Sequence, residues 1–435
     1  MKQKINSRIE TNKIFDRDRH LSLFANPVNF MRFFGPVSII AAAQLLGTSL
    51  WFSANSAIDD LTLKWQISAT DVGWLTNAVQ SGFILGTLTI ALGGIADRYR
   101  ASNIFILSAC AGALFNACFA WVADGLHSAL FYRFLVGISL AGIYPMGMKL
   151  VVSWAPDRAG AALAQLVAML TLGTALPHGL REIGGDFPWQ IIISASSLLA
   201  LVSALLIFQL GDGPHLRQLT QNNSKEFRRT GLARPAVLEA FRVPRFRAAA
   251  WGYFGHMWEL YAFWAVVPLL ISNTTLAQQY PQLGVSGLSF CIIGFGAVGC
   301  LLGGLLSRTI GSSRVAVGAL ASSGCCALIF VLVWDTLSPT WLFILLLLWG
   351  STVIADSPQF SAMSAKACPP ELVGAALSIQ NSFGFAITII SIAGVSTLFE
   401  LTGPESVWIL LPGPALGLLG FWLTLRSNTT SIEKM

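Results

Sequence analysis

Long apolar stretches alternate with short polar turns from residue 36 to residue 426. Each stretch is about 20 residues long, which is the length an α-helix needs to cross roughly 30 Å of hydrocarbon. The pattern predicts twelve transmembrane helices, over residues 36–57, 72–95, 102–123, 128–153, 160–181, 188–210, 247–272, 286–307, 314–334, 339–364, 373–398 and 404–426. We therefore expect an all-α membrane protein.

The second half of the chain repeats features of the first half. The charged turn Gly93–Arg98 recurs half a chain later as Gly303–Arg308. At nearly the same offset, the glycine and prolines of the fourth predicted helix and its exit also recur, as Gly137, Pro145 and Pro156 against Gly350, Pro358 and Pro369. A duplication with prolines and turn glycines in step is typical of secondary transporters.

The repeat predicts two six-helix bundles with polar segments around them. The bundles cover residues 36–210 and 247–426, and a cytoplasmic linker at 211–246 joins them. Residues 1–35 form a cytoplasmic tail with an interfacial lead-in at 21–34, and residues 427–435 form a second cytoplasmic tail.

Composition and charge placement favour a membrane protein over a nucleic-acid binder. Only 11% of residues are charged, against roughly 25% in soluble domains. Cations crowd the N-terminal tail, the linker and alternate turns, whereas the other loops are acidic and hold Asp59, Asp60, Asp124, Glu182, Asp186, Asp335 and Glu400. This positive-inside pattern places both termini in the cytoplasm and the protein in the inner (plasma) membrane. Six of the seven cysteines lie in apolar stretches, so we predict neither disulfides nor a metal site.

The turn Gly93–Arg98, together with Arg133 and Gly137 on the fourth predicted helix, resembles signatures of the major facilitator superfamily. The similarity covers nearly the whole chain after residue 35. The stretch Arg133–Trp154 is similar to the bacterial organic-anion and nitrate-type branches. The resemblance implies that two pseudo-symmetric six-helix bundles rock around one central substrate site.

The seventh predicted helix carries two titratable residues at membrane depth. His256 and Glu259 are spaced i, i+3 and therefore share a face. Counted from Arg247 at 1.5 Å per residue, they lie roughly 13–18 Å deep. A carboxylate at that depth is out of water, which favours its protonated form. We predict that Glu259 carries the coupling proton with His256 as its partner; the alternative is a structural hydrogen bond from Glu259 to a neighbouring helix.

Arg133 and Asp356 each have two interpretations. Arg133 keeps its charge in proteins, so it either binds an anionic substrate or braces backbone carbonyls. Asp356 on the tenth predicted helix either joins the proton-coupling network or forms a gate with Lys149 or Lys366.

Polar and aromatic side chains recur at helical spacing on several predicted helices. A lipid-facing helix would not carry amides in line, so these faces predict a central polar cavity. The alternative for any one amide is an interhelical hydrogen bond. With Arg133, the predicted substrate-binding residues are Gln44, Trp51, Asn55, Tyr144, Tyr261, Trp264, Gln380 and Asn381. A similar but shorter stripe on the second helix holds Asn77, Gln80 and Ser81.

The two copies of the charged turn are predicted gates. Asp97 and Arg98 lie at the membrane surface, as do Ser307 and Arg308 in the second copy. The family resemblance implies that Asp97 faces a helix N-terminus of the opposite half. Such a contact breaks when the halves rock.

Together these features predict a secondary active transporter that moves a small organic solute, an anion to judge from Arg133, by proton symport and alternating access. The other candidates are a proton-driven exporter of amphipathic drugs or metabolites and a membrane-embedded enzyme. The chain has no phosphate-binding loop and only five scattered histidines, which argues against an ATPase or an enzyme. We predict no cofactor and no metal. The expected partners are the solute, protons and lipid, and we expect a monomer.

Overall fold

The computed structural model describes residues 35–185, 187–215, 240–368 and 373–432. The N-terminal tail with its interfacial lead-in, and most of the linker, lie outside these residues. The twelve main helices of the described part are α1 Pro36–Thr48, α2 Ala69–Leu92, α3 Ala101–Trp121, α4 Leu126–Trp154, α5 Ala159–Ile183, α6 Trp189–Leu210, α7 Pro244–Ser272, α8 Gly284–Ile310, α9 Ser312–Val333, α10 Pro339–Ala367, α11 Val373–Thr402 and α12 Pro412–Ile432.

The prediction of an all-α, twelve-helix membrane fold is confirmed. Ten candidate membrane spans occur in the described residues, and one of them, Ala376–Arg426, is 51 residues long. That length is enough to cross a bilayer twice, and it holds most of α11 and most of α12. The shorter apolar helix α1 supplies the remaining span.

The helices pack as two bundles of six. In the first half α4 packs against α2 and α3, and α1 packs against α4, α5 and α6. In the second half α7 packs against α10, α11 and α12, and α9 packs against α10. The main contacts between the halves are α2 with α11 and α5 with α8.

Glycine at one helix crossing in each half shows the duplication directly. A Cβ added to Gly137 on α4 would lie 2.1 Å from the carbonyl oxygen of Val79 on α2. A Cβ added to Gly350 on α10 would lie 2.1 Å from the carbonyl oxygen of Ile292 on α8. Only glycine allows the two backbones to approach so closely, and the two crossings occupy equivalent places in the repeat.

Helix ends and breaks differ from the predicted ones. α1 ends at Thr48 instead of residue 57, and α12 begins at Pro412 instead of residue 404, because Gly403–Leu410 forms a 3-10 helix. The segment Ile58–Trp65, predicted as loop, is a short amphipathic helix. Its first turn is acidic and its last turn holds a lysine, which matches the helix dipole.

α8 and α10 are each interrupted once. α10 breaks at Asp356, just before Pro358. Pro358 has no N–H to donate to the carbonyl of Ile354, and the thiol of Cys300 donates to that oxygen across 3.6 Å. The corresponding break in α8 falls at Phe295.

The helix ends form two faces of opposite charge. What we call the acidic face carries Asp59, Asp60, Asp124, Glu182, Asp335 and Glu400. What we call the basic face carries Arg98, Arg158, Arg308, Arg314 and Lys366. The positive-inside pattern predicts that the basic face is cytoplasmic.

Candidate functional site

Glu259 lies in the interior of the second half, on α7. Its side chain is fully buried. The hydroxyl of Ser323 on α9 donates to Oε2 across 2.8 Å, and Nε1 of Trp349 on α10 donates to Oε1 across 2.7 Å. Both donors are neutral, so the carboxylate is hydrogen-bonded by groups that do not cancel its charge.

His256 and Asp356 form a buried pair one turn of α7 away. Nδ1 of His256 lies 2.7 Å from Oδ1 of Asp356, and neither side chain is exposed. Asp356 reaches this place because it lies at the break in α10. The structure thus brings the three predicted proton-coupling residues into one region. Of the two predicted gate partners of Asp356, Lys366 is exposed, and Lys149 donates to the carbonyl oxygen of Ala96.

Arg133 directs its hydrogen bonds to the end of α1. Its Nη1 donates to the carbonyl oxygen of Leu50 at 3.1 Å, to Oγ of Ser53 at 2.9 Å and to Oδ1 of Asn116 at 3.2 Å. Its Nη2 donates to the carbonyl oxygen of Trp51. These carbonyls follow the last turn of α1 and have no partner within the helix. Arg133 therefore satisfies them from α4, in the geometry expected of a brace.

An aromatic cluster lies at the junction of the two halves. The first half supplies Trp51, Phe52 and Phe83, and the second half supplies Tyr261, Trp264 and Phe385. Ring centroids are 5.5 Å apart for Trp51 and Tyr261, and 5.3 Å apart for Tyr261 and Trp264. Three predicted substrate-binding residues thus meet here. The three phenylalanines were not predicted, because phenylalanine in an apolar stretch gives no signal that separates it from a lipid-facing residue.

The cluster contains unpartnered hydrogen-bond donors. Trp51 and Trp264 are fully buried, and their indole N–H groups find no acceptor among the described residues. Leaving a buried donor unpaired costs about 1–3 kcal/mol. Two such donors come from opposite halves, and both indole rings pack on Tyr261.

The predicted amides divide into two groups. Gln44 and Gln380 are fully buried, and in the described part of the chain their amides have no hydrogen-bond partner; the same holds for Gln80. Asn55, in contrast, donates to Oγ1 of Thr76 at 3.0 Å, which is a hydrogen bond within the first half. The two other predicted substrate-binding residues, Tyr144 and Asn381, are half-buried.

The predicted gate residues lie on the basic face. Arg98 is exposed, and Asp97 is in the short helical turn Ile95–Arg98, although its side chain is not among those described. Ser307 donates to the carbonyl oxygen of Gly304 in its own helix at 2.9 Å. Arg308 lines a cleft of about 580 Å³, together with Asp157, Arg158, Gly160 and Ala161. The gating role of these residues stays a prediction.

The chain is similar in sequence to a known protein family and to individual transporters. The sequence model of the Major Facilitator Superfamily matches residues 38–430. The niacin transporter NiaP of Acinetobacter baylyi is 27% identical over 157 residues, which are 34% of this chain and 33% of that protein. Solute carrier family 22 member 6-A of Xenopus laevis is 34% identical over 119 residues, 26% of this chain and 21% of that protein. This chain therefore spans about a third or less of these relatives' own length.

Solved structures with the same fold cover nearly the whole chain. The xylose transporter XylE of Escherichia coli, in a partially occluded inward-open conformation, aligns with a TM-score of 0.69. The alignment covers 90% of this chain and 98% of XylE, at 11% sequence identity. At that identity the likeness concerns the fold.

Proposed function

Because the chain belongs to the Major Facilitator Superfamily and is a transporter, not an enzyme, we propose that it moves a small organic anion by proton symport and alternating access. The observation that carries this proposal is the environment of Glu259. The carboxylate is buried among α7, α9 and α10, and its hydrogen-bond donors, Ser323 and Trp349, are neutral. Taking up a proton is the simplest way for such a group to become neutral.

His256 and Asp356 supply a second exchangeable site next to Glu259. Nδ1 of His256 and Oδ1 of Asp356 lie 2.7 Å apart, close enough for an imidazole and a carboxylate to share one proton. The pair lies at the break of α10, where a change in helix angle would alter their separation. We propose that protons pass between this pair and Glu259 as the two halves rock.

The aromatic cluster is the proposed substrate site. The indole N–H groups of Trp51 and Trp264 are unpartnered donors that suit a carboxylate or carbonyl oxygen. The ring of Tyr261 between them suits a flat, partly apolar solute. The name of one relative, a niacin transporter, supports testing small aromatic acids first.

Arg133 acts on this site indirectly, by positioning the backbone of Trp51. It holds the carbonyl oxygen of Trp51 and so fixes the backbone that carries the indole. We therefore propose that an anionic solute is bound by neutral N–H and O–H donors, and that Arg133 does not contact it.

The second candidate is a proton-driven exporter of amphipathic compounds. The size of the cluster favours it, since six aromatic side chains from both halves meet at the junction. The two functions differ in the direction of coupling. A symporter moves solute and protons the same way, whereas an exporter of this kind exchanges them.

Uptake by purified protein in liposomes tests the proposal. Nicotinate and benzoate are supplied outside, and a pH gradient, acidic outside, is imposed with and without an uncoupler. Symport predicts solute accumulation that the uncoupler abolishes and that exceeds the passive trapping of these weak acids in protein-free liposomes. Protein that accumulates solute only when the interior is acidic would be an exchanger. Protein that lets neither acid accumulate, while it accumulates an amphipathic cation, would exclude the anion proposal.

The remaining expectations belong to the same proposal. We propose residence in the inner membrane as a monomer, with the basic face and both termini in the cytoplasm. The alternation of acidic and basic faces among the described residues supports this orientation.

A further inference from the structure

Two carboxylates on the acidic face each accept a hydrogen bond from the opposite half of the protein. Glu182, near the end of α5, accepts the backbone N–H of Gly287 in the first turn of α8 at 3.1 Å. Glu400, near the end of α11, accepts the backbone N–H of Thr70 in the first turn of α2 at 2.7 Å. The first contact runs from the first half to the second, and the other runs in the opposite direction.

The two contacts are copies of each other in the internal repeat. Glu182 and Glu400 end the fifth helix of their respective halves, and Thr70 and Gly287 begin the second helix of theirs. In both contacts, a carboxylate lies at the positive end of a long helix, where the dipole and free N–H groups favour an anion. The N–H of Gly287 is shared with the carbonyl oxygen of Leu283 at 2.8 Å, so the contact of Glu182 is the weaker of the two.

Close packing between the halves continues below each carboxylate. On one side, a Cβ added to Gly73 would lie 2.5 Å from Oγ of Ser396, and Nδ2 of Asn77 donates to the carbonyl oxygen of Ile389 at 3.0 Å. On the other side, Gly179 lies against the ring of Phe290, only 3.0 Å from an added Cβ. The acidic ends of the halves are therefore closed together, whereas the basic face has the cleft beside Arg308.

We propose that Glu182 and Glu400 form a pair of interhalf caps that hold the acidic face closed and break together when that face opens. The proposal rests on the proposed alternating access, because only a rocking motion of two halves links the contacts. Neither cap can stay intact while the other opens widely, since both caps join the same two halves of the protein. Loss of one cap should therefore loosen the other, although the two lie on different helix pairs.

The expected size of the effect follows from the chemistry of a carboxylate at a helix N-terminus. One such contact at a surface changes an equilibrium by about twofold to fivefold. Losing both caps should therefore raise the population that is open on the acidic face by about tenfold. The Glu400 cap should contribute more, because its contact is shorter and its N–H is not shared.

Hydrogen–deuterium exchange of the purified full-length protein tests this inference. The variants are Glu182→Ala, Glu400→Ala and the double variant, and exchange is followed at residues 69–76 and 284–291. We expect Glu182→Ala to raise exchange at the start of α2, which Glu182 does not touch. Glu400→Ala should likewise raise exchange at the start of α8, and the double variant should exchange about tenfold faster at both.

Asp124→Ala is the matched control. Asp124 is an exposed carboxylate of the same face, and its partner, Oγ of Ser128 at 2.6 Å, belongs to the same half. This hydrogen bond lowers the pKa of Asp124, so the control removes an ionised carboxylate with a real partner. We expect no change in exchange at the start of α2 or of α8.

Each outcome decides between a gate and two local helix caps. If each single variant raises exchange only at the helix it touches, or if neither segment responds, the proposal is wrong. Should an alanine variant fail to fold, Glu182→Gln and Glu400→Gln keep an acceptor oxygen and remove the charge, with an expected rise of about twofold at the distant segment. The measurement needs neither solute nor a proton gradient. A failure of pH-driven uptake would therefore overturn the proposed function and leave the exchange result standing. Likewise, exchange that rises only at the helix each variant touches would overturn the paired caps and leave the uptake result standing.

Discussion

Arg133→Lys separates the two interpretations of the buried arginine. Arginine presents a planar fork of donors, and in this structure Nη1 and Nη2 together reach two backbone carbonyls at the end of α1, those of Leu50 and Trp51. Lysine keeps the charge but has one nitrogen, so it can reach only one of these carbonyls well. The carbonyl that lysine does not reach loses its arginine donor. That of Trp51 is then left buried and unpaired, whereas that of Leu50 still has Oγ of Ser53 at 3.2 Å, a hydroxyl that also donates to Oδ1 of Asn116.

The expected loss can be worked from these contacts. One buried carbonyl without a partner costs about 1–3 kcal/mol. Asn116 loses little, because Oγ of Ser53 still donates to its Oδ1 at 2.6 Å. We therefore predict that Arg133→Lys lowers the free energy of unfolding by about 2 kcal/mol. The position of Trp51 should also become less defined, which weakens solute binding as a secondary effect.

Unfolding in mixed micelles, followed by tryptophan fluorescence, measures the change in free energy. Arg181→Lys is the matched control. Arg181 belongs to the same half, but it lies near the surface and bonds Asp60 at 2.7 Å. We expect the control to change stability by no more than about 0.5 kcal/mol. An Arg133→Lys variant that is as stable as wild type, but no longer binds solute, would show that Arg133 is a substrate ligand and would refute the brace.

Three further predictions follow from the site and the helix crossings. Trp51→Phe keeps an aromatic ring but removes the indole N–H and the five-membered ring that bears it, so nicotinate binding should weaken about fivefold to tenfold, and the cavity left in the cluster should lower stability; equal affinity by calorimetry would remove Trp51 from the substrate contacts. Gly137→Ala should destabilise the protein by more than about 2 kcal/mol in micelle unfolding, whereas Gly318→Ala, with open space around it, should not destabilise. Equal stability of the two variants would contradict the close crossing. Asp356→Asn should slow pH-driven uptake about tenfold or more at unchanged solute affinity, and normal uptake would exclude the pair with His256 from proton transfer.

The membrane helices could be predicted from the sequence because length and hydropathy decide whether a segment spans a bilayer. Their ends were predicted less well. The run Trp408–Leu411 is apolar and reads as the start of a helix, but it lies in and just after a 3-10 turn. Helix Ile58–Trp65 was missed because it is short and half polar, and it is recognised only when its apolar residues pack against the bundle.

The site could be predicted only in part, because the sequence shows which residues share a helix face but not which neighbouring side chains they meet. The spacing of His256 and Glu259 places them on one face of α7 whatever the fold. Their partners, Ser323, Trp349 and Asp356, depend on how α9 and α10 are rotated about their axes, and hydropathy does not report rotation. Likewise, a buried arginine can be recognised from sequence, but the direction of its fork cannot.

Proton symport, as proposed, depends on Glu259 carrying the proton that drives transport between the two halves. Glu259→Gln keeps the size of the side chain and one acceptor oxygen, which serves either Ser323 or Trp349, but it cannot exchange a proton. In liposomes loaded with nicotinate, we predict that this variant still exchanges internal for external solute. In liposomes without internal solute, it should lose the accumulation that a pH gradient drives. The exposed control Asp335→Asn should keep both activities. A Glu259→Gln protein that still accumulates solute under the gradient would contradict the account.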